Sequence, residues 1–470
     1  MENLWFKTLL EFKFLDFQGV SKFTIIRGGV GMKKVVLFLW VLGIAIFTFS
    51  VSTSIQMWAD WVKSNYDGTT ITVAAQNHPS TDAMRKMASE FEKLTGIKVK
   101  WETMEEIHLH DKILIEFSSN TRRYDVLAMD VCWIGEFADK NVIAPLDDFV
   151  HSDLTPNWFD YEDIIPAYRE GLGMYNNLIY GIPSAGESAF IAYNKDLFKK
   201  YGLDPQILED YDGLYFAAQK LNGAEKNLYG IAMRGRRGHH IVYAWLQFLY
   251  NFGGKIFDEN YNVLLNSPEA IKSLQYYVDL MQFAPPGISN FSHEEATSAF
   301  MQGLTGLWFD ATALAPWIED ASASLVAGKT EYLAPPGEYA AVGGWNLAVS
   351  SQSKNKEAAW EFIVYMLGRG MADEYIANGG VVTRNSILND PFYKEQYAYY
   401  EAISQTLDKA YNLIEEGIDW RPRIPEWPQI GEIMGYHASM ALAEKETCEE
   451  ACQAMTKEIE DLLRNKGYYD

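Results

Sequence analysis

Apolar and polar positions recur with two different periods along the first third of the chain. "TTITVAAQNHPS" is a β-rich run, Ile71 to Ala75, that ends in polar residues. "STDAMRKMASEFEKLTG" then spaces its apolar residues as an amphipathic helix does, with a glycine stop at Gly96. "IKVKWETM" reads as the next strand, "HDKILIEFSSN" as the next helix, and "YDVLAMD" as a buried strand ahead of "WIGEFADKN". This alternation predicts a parallel sheet with helices on both faces. Ligands of open α/β sheets bind beyond the carboxyl ends of the strands. That rule singles out Asn77 and His78 after Gln76, the pair Glu105 and Glu106, and Asp130 with Cys132 and Trp133.

From about Pro183 the pattern changes. "SAFIAYNKDLFKKYG" is a strand entering a helix stopped by Gly202, and "YGIAMRGRRGHHIVYAWLQFLYNFGG" is a strand, a basic glycine-rich loop and a long apolar helix. After a further helix, "GLTGLWFDATALAPW" crowds a carboxylate and two tryptophans where a strand gives way to a helix. "GGWNLAVS" is a strand beyond a Pro-Pro-Gly turn, "KNKEAAWEFIVYMLG" is an amphipathic helix, and the tail is mostly helical. No internal repeat or low-complexity segment interrupts this order.

The chain has 470 residues, enough for two or three ordinary domains, and 48% of them are hydrophobic, which excludes a disordered or fibrous class. A net charge of −23 argues against nucleic acid and anionic membranes, which need clustered Lys and Arg, and is compatible with a neutral ligand. "MKKVVLFLWVLGIAIFTFSVS", residues 32–52, has a basic start, a short apolar run and small residues at Ser50 and Ser52, the pattern of a signal peptide. Residues 1–31 ahead of it read as an extension upstream of a natural start at Met32. Cys132, Cys448 and Cys452 are the three cysteines and none lies at the cleavage site, so the expectation is an exported periplasmic protein that is not a lipoprotein. Cys448 and Cys452 fall four apart on a helix, poor geometry for a disulfide.

Seven segments carry a resemblance. "ASEFEKLTGIKVKW", "YDVLAMDVCWIGEFADKNVIAPLDDF", "LIYGIPSAGESAFIAYNKDLFKKYGL", "YGIAMRGRRG", "GLTGLWFDAT", "GGWNLAVSSQSKNKEAAWEFIVYML" and "RPRIPEWPQI" follow one another from Thr70 to about Ile433. In this order the chain resembles the family 1 extracellular solute-binding proteins of sugar ABC importers, especially the branch that binds sugar alcohols. The resemblance implies an α/β, two-lobe periplasmic binding protein of type II-like architecture, with a ligand cleft between lobes and hinge closure. It implies lobe one over 57–181 plus 337–379 and lobe two over 182–336 plus 380–470. The crossings would fall near Tyr180–Pro183, Pro335–Gly337 and Gly379–Thr383. The implied protein is a monomer without enzymatic activity, cofactor or metal, whose partners are a sugar or polyol and the membrane subunits of an ABC permease.

Binding a polyol in a dry cleft takes carboxylates and amides for paired hydrogen bonds and an aromatic ring for the C–H face. Asp310 by itself reads as a helix N-cap, and the "GLWFDAT" match makes it a ligand contact. Trp308, Trp317 and Trp345 are stacking candidates against the plainer alternative of core packing. Asn346 would be an amide partner. Adjacent Glu105 and Glu106 point to opposite sides of a strand, so one at most would reach ligand. Glu187 and Ser184 follow the first crossing. Arg234, in the basic loop "RGRRGHH", and Arg384 are cleft-edge candidates, and several arginines there would admit an acidic sugar such as a uronate. His108-x-His110 and His239-His240 lack zinc-site spacing. The rival readings are a secreted glycosidase or lyase using paired carboxylates, and a receptor's ligand-sensing domain.

Overall fold

The computed structural model describes residues 53–469, so the extension expected over 1–31 and the signal peptide expected over 32–52 lie outside the described residues. A helix over 53–66 leads into β1 (Thr70–Gln76), β2 (Lys98–Met104) and β3 (Val126–Asp130), with helices Pro79–Thr95 and Glu106–Ser118 between them. A short hairpin, β4 (Met174–Tyr175) and β5 (Leu178–Ile179), precedes β6 (Ile182–Glu187). Then come β7 (Ala189–Asn194), β8 (Tyr229–Ala232), β9 (Thr305–Ala311), β10 (Thr330–Leu333) and β11 (Gly343–Val349).

Two separate sheets result. The first has the order β2-β1-β3-β11-β6, with β1 parallel to β2 and β3, and β11 antiparallel to β3 and β6. The second has the order β10-β7-β9-β8, where β8 and β9 are parallel and the other pairs antiparallel. Every residue of β3, β7, β9 and β11 is buried. Strands covered on both faces read as continuous apolar runs, as "VLAMD" does. Gly96 ends its helix with φ 75°, a left-handed conformation that glycine adopts without a Cβ penalty.

The first passage between sheets is displaced from the expected Tyr180–Pro183. Ile182–Glu187 pairs with β11 in the first sheet, so the chain changes sheets at Ser188. Ser188 is held on the far side: its N–H donates to Thr312 Oγ1 at 3.0 Å and its carbonyl accepts from the Thr312 N–H at 2.9 Å. The return to the first sheet runs through 334–342. The third passage lies between helix Ala372–Ala377, packed on Pro79–Thr95, and helix Tyr400–Glu415, packed on β7. Helices Trp427–Leu442 and Cys448–Asn465 then cover His239–Leu249 and Pro268–Met281. Cys448 and Cys452 are both free and buried on the last of these.

Candidate functional site

The strand directions bring the carboxyl ends of β1, β3 and β6, and the first residues of β11, to one edge of the first sheet. His78, just past β1, caps the following helix: its Nδ1 accepts from the Ser80 N–H at 3.2 Å. That bond leaves Nε2 as the protonated nitrogen, which donates to Glu187 Oε1 at 3.1 Å. Asp130 ends β3 and accepts the Cys132 N–H at 2.8 Å. Trp345 is in register with Asp130 across the β3–β11 pair. Gly344 before it has φ 137°, and a Cβ there would meet the Ala185 carbonyl at 2.0 Å, so only glycine lets β11 run this close to β6. Trp133 meets Trp345 edge-on at 5.4 Å between ring centroids.

The second sheet opposes this edge with cations. Arg234 follows β8 and grips Asp310, near the end of β9, with Nε at 2.8 Å and 3.0 Å from its two oxygens and Nη2 at 2.6 Å. The Arg234 guanidinium also lies over the Tyr243 ring at 4.0 Å. Arg421 comes from a segment tied to the same lobe, where the Tyr250 hydroxyl donates to the Trp420 carbonyl at 2.9 Å. Its Nη2 reaches across to Asp130 Oδ1 at 3.1 Å. All four charged groups are buried.

Between the two edges lies a cavity lined by His78, Glu106, Asp130, Glu187, Arg234, Tyr243, His293, Ala311, Leu314, Trp345 and Arg421. It is closed down to about 10 Å3, about the room of one water molecule. A wider cavity of about 700 Å3 adjoins it across Glu106 and is lined by Trp133, His239 and Trp427 among others. A groove of about 820 Å3 beside Tyr161 and Arg169 holds none of the sequence-predicted residues.

Glu106 is the first residue of its helix and is buried, with Oε1 at 3.1 Å from His239 Nε2. Burial opposes its charge, but His239 and Arg234 hold the carboxyl well below the usual carboxylate range. Burial, with the Arg234 charge, pushes the His293 imidazole down to about 3. Burial and the charge of neighbouring His239 push His240 well below its ordinary value.

Six of the residues singled out from sequence, His78, Glu106, Asp130, Glu187, Arg234 and Trp345, line the small cavity, and Trp133 lines the wider one. Others are placed elsewhere. Asp310 is buried behind Arg234 and takes the Ala311 N–H at 2.6 Å; the turn after it starts from Ala311 without a side-chain cap, so Asp310 is not an N-cap. Trp308, two residues further from the edge, packs on Phe190 at 5.8 Å in the core beneath the cavity. Asn346 points away from Trp345, as strand alternation requires, and donates to the Leu172 carbonyl at 3.1 Å. Ser184 donates to the Trp345 carbonyl at 3.1 Å. Arg384 is buried against Phe159 and donates to the Asp160 and Leu367 carbonyls. Glu105 pairs with Arg236 outside the cavity, and Asn77 is exposed.

Arg421, Tyr243 and His293 were not anticipated. Arg421 does open the segment "RPRIPEWPQI", and an arginine between an aromatic residue and a proline was the available signal. The basic loop is not a phosphate cradle, because Arg234, Arg236 and Arg237 are each occupied by carboxylates, Asp310, Glu105 and Glu432.

Comparison with known proteins agrees with this two-lobe arrangement. Among relatives, the mannitol-binding protein of Pseudomonas aeruginosa is 27% identical over 422 residues, covering 85% of this chain and 94% of its own. An ABC transporter solute-binding protein of Agrobacterium radiobacter, solved with ribitol, superposes with a TM-score of 0.78 at 31% identity, over 84% of this chain and 99% of that one. A solute-binding protein of Agrobacterium vitis with bound D-mannitol gives 0.77 at 30% identity, over 86% and 100%. The family model described as bacterial extracellular solute-binding protein matches residues 75–373, from the end of β1 into helix Ala372–Ala377, and the chain belongs to that family.

Proposed function

We propose that this protein is the periplasmic ligand-capturing component of an ABC importer, and that it takes a short acyclic sugar alcohol between its lobes and releases it unchanged to a membrane permease. The observation that carries the reading is the cavity itself. Carboxylates of one lobe and guanidinium groups of the other converge on the Trp345 ring, which supplies hydrogen-bonding groups for hydroxyls and a flat face for C–H bonds. The relatives that bind mannitol and ribitol support the same class. Ligand that bridges both edges stabilises the closed state because it touches both only there.

The test is a thermal-shift and calorimetric panel of ribitol, D-mannitol, erythritol, maltose and a uronate on the exported chain. A pentitol or hexitol is expected to raise the melting temperature and to bind one per chain. Ligand at a hundred times its Kd stabilises by about 2.7 kcal/mol. Chromatography of the recovered ligand should show it unaltered. Conversion to product, or stabilisation by maltose alone, overturns the reading.

A further inference from the structure

Three buried groups cluster beside the small cavity, where Glu106 also meets His239 Nε2 at 3.1 Å. Glu106, His240 and His293 are the first, second and first residues of three different helices, and each offers one ligating atom within 4.8 Å of the other two. His240 is fully buried, and neither of its ring nitrogens has a hydrogen-bond partner in the chain; Nε2 of His293, itself 6% exposed, has none either. Gly238, with φ 89° and ψ −149°, starts the helix that presents His239 and His240, and a Cβ on Gly435 would run into it at 2.5 Å. The imidazoles are therefore held in place with free nitrogens rather than left loose. Leaving the histidines aside, the buried charges here are Glu106, Asp130, Glu187 and Asp310 against Arg234 and Arg421, an excess of two negative charges.

We propose that Glu106, His240 and His293 form a binding site for a divalent transition-metal cation, with zinc as the reference ion. Two imidazole nitrogens and one carboxylate oxygen are a ligand set that suits zinc, cobalt or nickel and disfavours magnesium or calcium, which want oxygen only. Ligating atoms around a tetrahedral zinc lie roughly 3.4 Å apart, so the three side chains close in by about 1 Å on the ion. Three protein ligands leave a fourth position open. Glu106 lines both cavities, so the ion stands at their junction. A divalent ion also balances the two excess negative charges. The proposal does not rest on the identity of the transported ligand.

The test uses the mature chain, stripped with a chelator and dialysed against micromolar zinc or cobalt at neutral pH with no polyol present. One metal ion per chain is expected by elemental analysis, with a cobalt absorption spectrum of low coordination number. Glu106→Gln, which keeps the side chain's shape, and His293→Gln should each weaken binding at least tenfold, while circular dichroism shows the fold intact. His437→Gln removes a buried histidine that lines neither cavity and is held between Glu446 and Glu458, and it should leave binding unchanged. Absence of stoichiometric metal in the wild type overturns the proposal, as does wild-type affinity in Glu106→Gln or loss of metal in His437→Gln. Polyol binding by the chelator-treated protein is measured separately, so the transport reading stands or falls on its own.

Discussion

Arg234 and Arg421 both line the small cavity and lie over the Tyr243 ring, at 4.0 Å and 6.0 Å, and each holds an aspartate. What the two pairs join is different. Asp310 belongs to the strand beside the one that leads into Arg234, so that pair lies within one lobe. Asp130 belongs to the other sheet, so the Arg421 pair spans the cleft. The contact geometry differs accordingly: three short bonds hold Arg234, whereas Arg421 makes one at 3.1 Å and one at 3.4 Å and leaves Nε without a partner. A pair inside a lobe persists when the hinge opens, and a pair across it does not. One therefore serves the fold, and the other serves closure.

The largest effect should come from breaking the intralobe pair. Asp310→Ala leaves the Arg234 charge buried and unpaired, a loss of about 3–5 kcal/mol, to be read by urea unfolding. Ligand binding falls with it, because Arg234 loses its fixed position. Breaking the interlobe pair with Arg421→Ala should separate the two properties. Ligand affinity should fall by about 2 kcal/mol, roughly thirtyfold, while the unfolding free energy changes by less than half as much as in Asp310→Ala. Equal destabilisation by the two substitutions would erase the distinction.

A third measurement concerns a buried carboxyl group of lobe one, away from the cleft. Glu361 accepts from Trp58 Nε1 at 2.6 Å, and burial pushes its carboxyl up to about 8. The folded state then holds a proton that the unfolded chain releases near pH 4.5, so stability falls as pH rises from about 4.5 to about 8. Glu361→Gln removes that slope and should be more stable than wild type by up to about 4 kcal/mol at pH 8, with no gain at pH 4. Ligand affinity should not change. The smallest effect is expected at the rim, where Glu105 and Arg236 pair across the lobes while about one-third exposed. Glu105→Gln should alter affinity by less than about 1 kcal/mol, and the difference should vanish at high salt.

Much of the fold was legible because its signals are local. The period-two and period-3.6 runs, the Gly96 and Gly202 stops and the strand-end rule placed His78, Glu106 and Asp130 at one sheet edge. The errors share a physical origin. Trp308 and Asp310 sit two residues apart in one strand, so no sequence period separates a core tryptophan from the carboxylate that fixes Arg234; their depth along the strand does. Ile182–Glu187 has the polar content of a loop, yet pairing with β11 makes it a strand, and that moved the crossing to Ser188. Arg384 looks like a cleft arginine until its carbonyl partners are seen.

The amino-acid sequence by itself determined the α/β class, the order of elements and the family, since periodicity and segment order are properties of the chain alone. Which charges meet was decided only by tertiary structure. Asp130 and Arg421 are 291 positions apart, and Glu106, His240 and His293 come from three helices, so nothing in their neighbourhoods records the encounter. A charge's role depends on what faces it when water is excluded, and that is set by how two sheets close on each other.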